Sequence, residues 1–568
     1  MYIATVPNRR SPPAILLREG YREGGTVKNR TLANLSQWPP EKIELLRRLL
    51  RDEPLVPVDT LFEVVASSHH GHVQAVRLTM QRLGFDGLIA SRPSRERDLV
   101  GAMVAARILE PDSKLATTRW WHTTTLPADL GVSDADEDAL YEAMDWLLER
   151  QARIEQKLAA RHLQAGGFML YDLTSSYFEG TTCPLAAFGH NRDGKRGKLQ
   201  VNYGLLTDAR GCPVAVSVFK GNTGDPPTLL PEVQRVRERF GIEQLVVVGD
   251  RGMISQTQIT ALRALDGVGW ITALKTGAMR DLVVVGHVQL GLFDERNLFE
   301  LTHPDFPGER LVACRNPELA KLRAHKRQAL LAATSKELEQ VRGMVARGRL
   351  RGGEAIGVRV GKVINKYKVA KHVRLEIYDD RFAFQIDETR VAAEAALDGI
   401  YVIRTSVPAE RLDAADVVRH YKRLSDVERA FRSLKTIDLK VRPIRHRLEE
   451  RVRAHIFLCM LAYYVEWHMR EAWRPLLFSD EDQAAKQTRD PVAPATRSAA
   501  ALRKVHTKVL ADGTPVHSFR TLLRELSSIV RNVCRPRSAG PAAPTFEIVT
   551  TPTPIQQRAY DLLKPIAV

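Results

Sequence analysis

Three carboxylates set far apart along the chain are the residues best suited to do chemistry. Asp172 closes the apolar run Phe168-Met-Leu-Tyr-Asp172, Asp250 closes the run Leu245-Val-Val-Val-Gly-Asp250, and Glu428 lies in the stretch from Tyr421 to Lys435. At about 100° per residue, Val417, Leu424 and Phe431 define one helix face, and Tyr421, Glu428 and Lys435 fall within roughly 40° of it. Glu428 is therefore expected to point inward, where an ionised Glu needs a cation opposite. Arg432, one turn on, is the simplest such cation as an i,i+4 pair. Read singly, each Asp is a turn or helix-capping residue. Brought together at one sheet edge, three acids repel, and oxygen-rich sites of that kind bind hard divalent ions such as Mg2+ or Mn2+. Two ions about 4 Å apart can activate an attacking oxygen and stabilise the leaving oxygen across a phosphorus. That is the chemistry of nucleic-acid cleavage.

The elements that must position these acids follow from periodicity. Residues Phe168 to Ser175, Leu199 to Leu206 and Val214 to Phe219 read as a three-stranded meander with a turn at Thr207–Gly211. A helix follows to Phe240 and stops at Gly241, and the strand ending at Asp250 comes next. A sheet that sets the first and fourth strands side by side brings Asp172 and Asp250 to one edge. Further strands are expected at Val268–Leu274 and Gly399–Thr405. Between them, an α+β segment contains a helix near Ala324–Val345 and the basic Gly-rich turn Ala346–Gly353, expected to emerge near the acids. Upstream, a small hairpin in residues 1 to 30, a helix from Pro40, and helices near 73–83, 95–109 and 137–163 make the N-terminal region mostly helical. Residues 451–473 are apolar but too interrupted by charge to span a bilayer and read as a core helix. Stretches 478–500 and 535–553 read as linkers.

Composition narrows the partners. The chain has 568 residues, enough for several cores, and a formal charge of +17. Spread-out Lys and Arg of this kind attract polyanions, nucleic acid first among them. No secretory signal and no membrane span is read, so a soluble cytoplasmic protein is expected. Cys183, Cys212, Cys314, Cys459 and Cys534 form no C-x-x-C pair and have no His at zinc spacing in sequence. No P-loop pattern appears, so no nucleotide cofactor is expected. The run Lys440–Arg447 is dense in charge, and Arg442, Arg445 and Arg447 are candidate DNA-backbone contacts. Lys198 and Gln200, opening the second strand, and Asp225, in the turn before the first core helix, are weaker candidates.

The chain resembles the bacterial insertion-sequence DDE transposases of the superfamily marked by a Tyr-x2-Arg-x3-Glu-x6-Lys signature. The resemblance is carried by Val6-Pro-Asn-Arg-Arg, Arg30–Trp38, Tyr171–Gly180, Val248-Gly-Asp-Arg-Gly252 and Tyr421–Arg447. It implies an α/β fold with an RNase H-like core and an inserted α+β subdomain, and Asp172, Asp250 and Glu428 as a triad holding two Mg2+ or Mn2+ ions. Tyr421 and Lys435 match the signature at the right spacing. Leu424 stands where the signature has Arg, leaving Arg423 or Arg432 to supply the phosphate contact. The implied partner is double-stranded DNA, both terminal inverted repeats and target, engaged by a homodimer in a nucleoid-associated setting.

The expected organisation is an N-terminal DNA-binding region at 1–95, a helical linker at 96–165, the core in two parts at 166–275 and 398–475, the insertion at 276–397 and a C-terminal region at 476–568. The expected activity is cleavage at element ends and joining of the 3′-OH to target DNA. A metal-dependent nuclease without strand transfer and an inactive transposase-derived DNA-binding protein are the alternatives.

Overall fold

The computed structural model of the chain describes residues 1–9, 11–53, 61–286, 288–289, 293–294, 297–482, 489–493, 496–537 and 544–567. These form two compact units, one of residues 1–68 and 530–550, the other of residues 69–529 and 551–568.

The smaller unit is rich in strands. Tyr2–Val6, Ala14–Glu23 and Thr26–Asn34 make an antiparallel sheet. Gly24 and Gly25, with φ of +57° and +80°, form the two-residue turn between its second and third strands, a conformation that suits glycine and the twist of a hairpin. Helix Pro40–Leu49 starts with Pro in its first turn, where a missing N–H costs nothing. A second sheet joins Phe62–His69, Val530–Pro536 and Phe546–Val549. The helix expected from Pro40 is present, but the region up to His69 is otherwise made of strands, and the run of helices begins at Gly71. Strand Phe546–Val549 lies inside the stretch read as a linker at 535–553. Parts of that stretch and of 478–500, and Arg10 of the Val6–Arg10 motif, fall outside the described residues.

The larger unit opens with helices Gly71–Arg82, Arg95–Leu109 and Glu137–Glu149, and with Gln151–His162 (α1). The single helix expected over 137–163 is broken at Arg150. Its guanidinium stacks 3.8 Å from the Trp146 ring and donates to the Trp146 carbonyl at 2.9 Å, taking the acceptor that the Arg150 N–H uses in an unbroken helix.

The sheet has eight strands: β1 (Phe168–Tyr177), β2 (Gln200–Thr207), β3 (Pro213–Lys220), β4 (Leu245–Val248), β5 (Val268–Ala273), β6 (Leu298–Leu301), β7 (Arg310–Arg315) and, after the insertion, β10 (Ile400–Thr405), in the spatial order β6-β7-β10-β5-β4-β1-β2-β3. The meander β1-β2-β3 is antiparallel, and β1 runs parallel to β4 and β4 to β5. Every residue of β2 and β4 is buried, as near-continuous apolar runs in a sheet covered on both faces must be. Gly204 in β2 gives room for Tyr171, since a Cβ there would sit 2.1 Å from the Tyr171 hydroxyl. Helix α2 (Pro226–Phe240) crosses between β3 and β4 and ends at Gly241 with φ of +70°, an αL stop.

Strands β6 and β7, inside the inserted segment, extend the main sheet rather than leave it. The remainder departs on α3 (Pro317–Ala346) and returns on α4 (Gly353–Tyr367) and the hairpin β8 (Val373–Ile377) and β9 (Phe382–Ile386). Leu338, Val341, Ile356, Val360, Val373 and Phe382 give this part its own core. At 1.5 Å per residue, α3 is roughly 45 Å long. The basic turn Ala346–Gly353 therefore caps the far end of a long helix whose first turn is tied to the sheet, with the Asn316 N–H donating to the Gly399 carbonyl at 2.8 Å. The expectation that this turn emerges beside the acids is overturned: α3 is longer than its apolar pattern suggested and carries the turn outward.

After β10 come α5 (Ala414–Lys422), α6 (Leu424–Arg432), a π-helical turn at Ser433–Ile437 and α7 (Glu449–Ala472). Helix α7 is buried through Ile456–Val465, and among the described residues no helix is long and apolar enough to cross a membrane.

Candidate active site

The parallel register Phe168↔Val246 and Leu170↔Val248 continues to set Asp172 level with Asp250, two residues beyond each end of that pairing. Helix α6 packs across β1 through Val427, Ala430 and Phe431, all buried. Glu428, one residue after Val427, is exposed. The inward direction expected of it is corrected: Val417 and Phe431 do face the core, but at Glu428 the helix passes an open cleft, so the carboxylate meets solvent rather than hydrocarbon. Arg432 is also exposed, and the ion pair on this helix joins Arg429 to Asp426 at 3.3 Å.

Asp172, Asp250 and Glu428 line one cleft of about 610 Å³ together with Asp225, His190, Arg192, Phe431 and Lys435. Asp250 accepts from the backbone N–H groups of Gly252 at 3.0 Å and Met253 at 2.7 Å through Oδ1, which fixes the carboxylate and leaves Oδ2 for a ligand. Asp172 accepts from the Leu173 N–H at 2.8 Å. Burial, with the negative charges of Asp250 and Asp225 adding to it, pushes the Asp172 carboxyl up to about 7, against the opposing effects of the Leu173 N–H and Arg192.

The cleft's own cations are engaged elsewhere. Arg192 pairs with Asp225 and donates to the Leu173 carbonyl. Lys435 Nζ lies 3.0 Å from Asp193 Oδ1, and Arg442 pairs with the same oxygen. Burial lowers the Lys435 ammonium from its ordinary value, partly offset by Asp193. Among the described residues, none of the three acids has an ion-pair partner. Uncompensated carboxylates sharing a cleft, one of them driven toward its neutral form, fit a hard divalent cation.

The other sequence candidates separate into groups. Tyr421 stands between this cleft and a second one, and burial with the nearby Asp250 and Glu428 charges pushes its hydroxyl up to about 12. Arg423 donates to the Ala209 carbonyl at 2.9 Å and so reaches the β2–β3 turn instead of the cleft. Arg445, Arg447 and Lys198 are exposed, and Arg445 pairs with Glu179 at 3.2 Å. The Arg442–Arg447 segment runs beside the end of β1, with the Ile444 N–H donating to the Tyr177 carbonyl at 3.1 Å. Gln200 is buried and donates to the Gly221 carbonyl at 2.7 Å, a structural role.

Sequence reasoning missed His190, Arg192 and Asp193, which sit on the loop between β1 and β2. The signal was the Asn191-Arg-Asp-Gly turn directly before Lys195. It also missed the second cleft, of about 650 Å³, which opens beside Tyr421 between β5, β10 and the start of α3. Arg251, Arg280, Arg323, Lys326 and Lys368 line it. Its acids are matched, Asp398 by Arg327 at 3.0 Å and Glu394 by Lys371 at 2.8 Å.

The transposase DDE domain family matches residues 169–465, just over half of the chain, and spans the three acids. The chain belongs to that family. It is a DNA transposase, and membership implies an RNase H-like core, to which the β3-β2-β1-β4-β5 part of the sheet corresponds. The N-terminal domain of IS1634 family transposases matches residues 3–54, so this transposase is of the insertion-sequence kind. Two solved structures are similar at low identity. One is the piggyBac transposase synaptic complex with hairpin DNA, at 9% identity and a TM-score of 0.34, covering 88% of this chain and 86% of that one. The other is the Mos1 transposase paired-end complex with left transposon end, at 10% identity and a TM-score of 0.15, covering 34% and 66%. No curated protein matches the transposase.

Proposed function

We propose that this transposase cuts DNA at the ends of its own element and joins the freed 3′-OH to target DNA. The observation that carries this reading is the convergence of three uncompensated carboxylates, from β1, the end of β4 and α6, on one open cleft of a strongly basic chain. Asp172, Asp250 and Glu428 would hold two Mg2+ or Mn2+ ions. Such a pair, when bound, supplies activation of the attacking oxygen and stabilisation of the leaving oxygen at the scissile phosphodiester.

The chain's own residues do the rest. Asp250 offers one oxygen whose direction is set by its bonds to the Gly252 and Met253 N–H groups. Asp172 must give up its proton to act, which its burial first, and then Asp250 and Asp225 beside it, oppose until positive charge arrives. Lys435 and Arg442 hold the β1–β2 loop through Asp193, and Arg192 on that loop lines the cleft with the acids. Exposed Lys198, Arg432, Arg445 and Arg447 contact the phosphate backbone by charge. The basic cleft beside Tyr421 receives the DNA strand leaving the acids, with Arg323, Lys326 and Lys368 contributed by the insertion. A homodimer on paired ends, in the cytoplasm with the nucleoid, is the setting this reading implies.

The test is incubation with DNA carrying the element's ends and a target, with and without Mg2+. Metal-dependent cutting followed by joined product is the expected result. Cutting without joining is what a nuclease gives, and binding without cutting is what an inactive DNA-binding descendant gives.

A further inference from the structure

We propose that His162, Cys212 and His468 form a zinc site, separate from the acidic cleft, that clamps three parts of the catalytic unit together. One donor atom from each of these residues lies within 4.8 Å of the others, and Cys212 Sγ is 3.9 Å from His468 Nε2. Donors around a tetrahedral zinc, with bonds of about 2.0–2.3 Å, are separated by about 3.3–3.6 Å. From separations of up to 4.8 Å the cluster thus needs to close by about 1.5 Å at most, a side-chain adjustment. The residues come from three elements: His162 ends α1, Cys212 ends the tight turn between β2 and β3, and His468 lies on α7. Three hundred residues separate the outer two, so the set has no spacing pattern to read.

The chemistry of the set selects the metal. A thiol and two imidazoles are borderline-soft donors that suit Zn2+ and reject Mg2+. His468 and Cys212 are buried, so these two donors are shielded from bulk water. Negative charge to balance the ion is at hand. The buried Asp208 carboxylate accepts from the Cys212 N–H at 2.9 Å. Arg210, 3.4 Å from His162 Nδ1, pairs with Asp208 at 2.9 Å and lies over the Trp467 ring at 5.3 Å, so zinc on that nitrogen would displace its contact with His162. Around the donors, Tyr464 and Trp467 pack edge-on against His468 at ring distances of 4.8 and 4.9 Å, which holds that imidazole in place. His162, half-buried, gives the cluster its opening to solvent, and with its Nε2 at 3.0 Å from the Tyr464 hydroxyl a water would complete the four-coordinate shell. The Cys212 turn packs against α6, where a Cβ on Gly211 would meet Asp426 at 2.9 Å and the Ala209 carbonyl accepts from Arg423, while none of the three donors lines the acidic cleft, so the role is to tie these elements together.

The chain stripped with a chelator and reloaded with Zn2+ or Co2+ tests this. The expected result is one retained zinc per chain after desalting, a thiolate-to-cobalt charge-transfer band in the Co2+ form, and a Tm raised by several degrees. Cys212→Ser and His162→Asn should each abolish the band and the retained zinc, whereas the double variant Asp172→Asn, Asp250→Asn should keep both. His162 is half-buried, so its variant carries the comparison should Cys212→Ser fail to fold. A wild-type chain retaining no more zinc than His162→Asn, or a Co2+ form without the thiolate band, overturns the proposal.

Discussion

Lys435 Nζ lies 3.0 Å from Asp193 Oδ1, with 10% and 2% of the two side chains exposed. The lysine that continues the Glu428 helix is therefore held by a buried carboxylate on the β1–β2 loop, which Arg442 also engages. The same carboxylate accepts from the Tyr177 N–H at 2.9 Å through its other oxygen. One residue thus ties the loop carrying Arg192 to both β1 and the segment after α6.

Removing that tie leaves two cations in a poorly solvated place. Asp193→Ala should destabilise the catalytic unit by about 3 kcal/mol, read as a lower Tm. Asp193→Asn, which keeps an acceptor for the Tyr177 N–H, should lose less. An unchanged Tm in Asp193→Ala means the network carries no weight.

The raised Asp172 carboxyl gives metal binding a pH dependence of known sign. Its folded value near 7 lies above the ordinary 3.8, so its contribution to metal-free stability is complete below about pH 4 and is lost as pH rises through 7. Divalent metal needs the ionised form. Apparent Mn2+ affinity should thus rise about tenfold from pH 6 to 8, and Asp172→Asn should flatten this dependence. A titration equal at both pH values contradicts the electrostatic account of the cleft.

The insertion supplies a test between two basic regions. Arg323 and Lys326, in the early turns of α3, line the cleft beside Tyr421, whereas Arg347, Arg349 and Arg351 sit at the far end of that helix. Replacing Arg323 and Lys326 by Ala should lower end cleavage at least about tenfold, as the loss of charged hydrogen bonds to phosphate does. Replacing the three arginines of the distal turn should affect cleavage and binding of unrelated DNA alike. The reverse order would return the clamp to the turn.

Binding should weaken steeply with salt. With six phosphate contacts, affinity should fall by about 10³-fold between about 50 and 200 mM salt. A flat response in a gel-shift or anisotropy titration would remove the phosphate backbone as the main contact.

The strands of the core were legible because their apolar runs are continuous and bounded by turns. Thr207–Gly211 and Gly241 mark such ends, and the two runs that finish in Asp required only that β1 and β4 lie side by side for the acids to meet, as they do. Glu428 was legible as a site residue for a reason only half right: its phase places it beside the apolar stripe of α6, but periodicity does not say where a helix runs past an opening. The Arg150 break was hidden because it depends on a guanidinium capturing a carbonyl, not on a breaker residue. The β6 and β7 extension of the sheet, the Asp193 network and the His162, Cys212 and His468 cluster depend on contacts across tens to hundreds of residues, which no local pattern encodes.

The central claim, that Asp172, Asp250 and Glu428 act together as metal ligands in strand cleavage, is tested most directly by Asp172→Asn, Asp250→Asn and Glu428→Gln on DNA carrying the element's ends with Mg2+. Each variant should lose cleavage by at least about 10³-fold while binding the DNA within about twofold of wild type, because each removes a ligand and no phosphate-binding cation. Near-normal cutting by any one of the three would contradict the account.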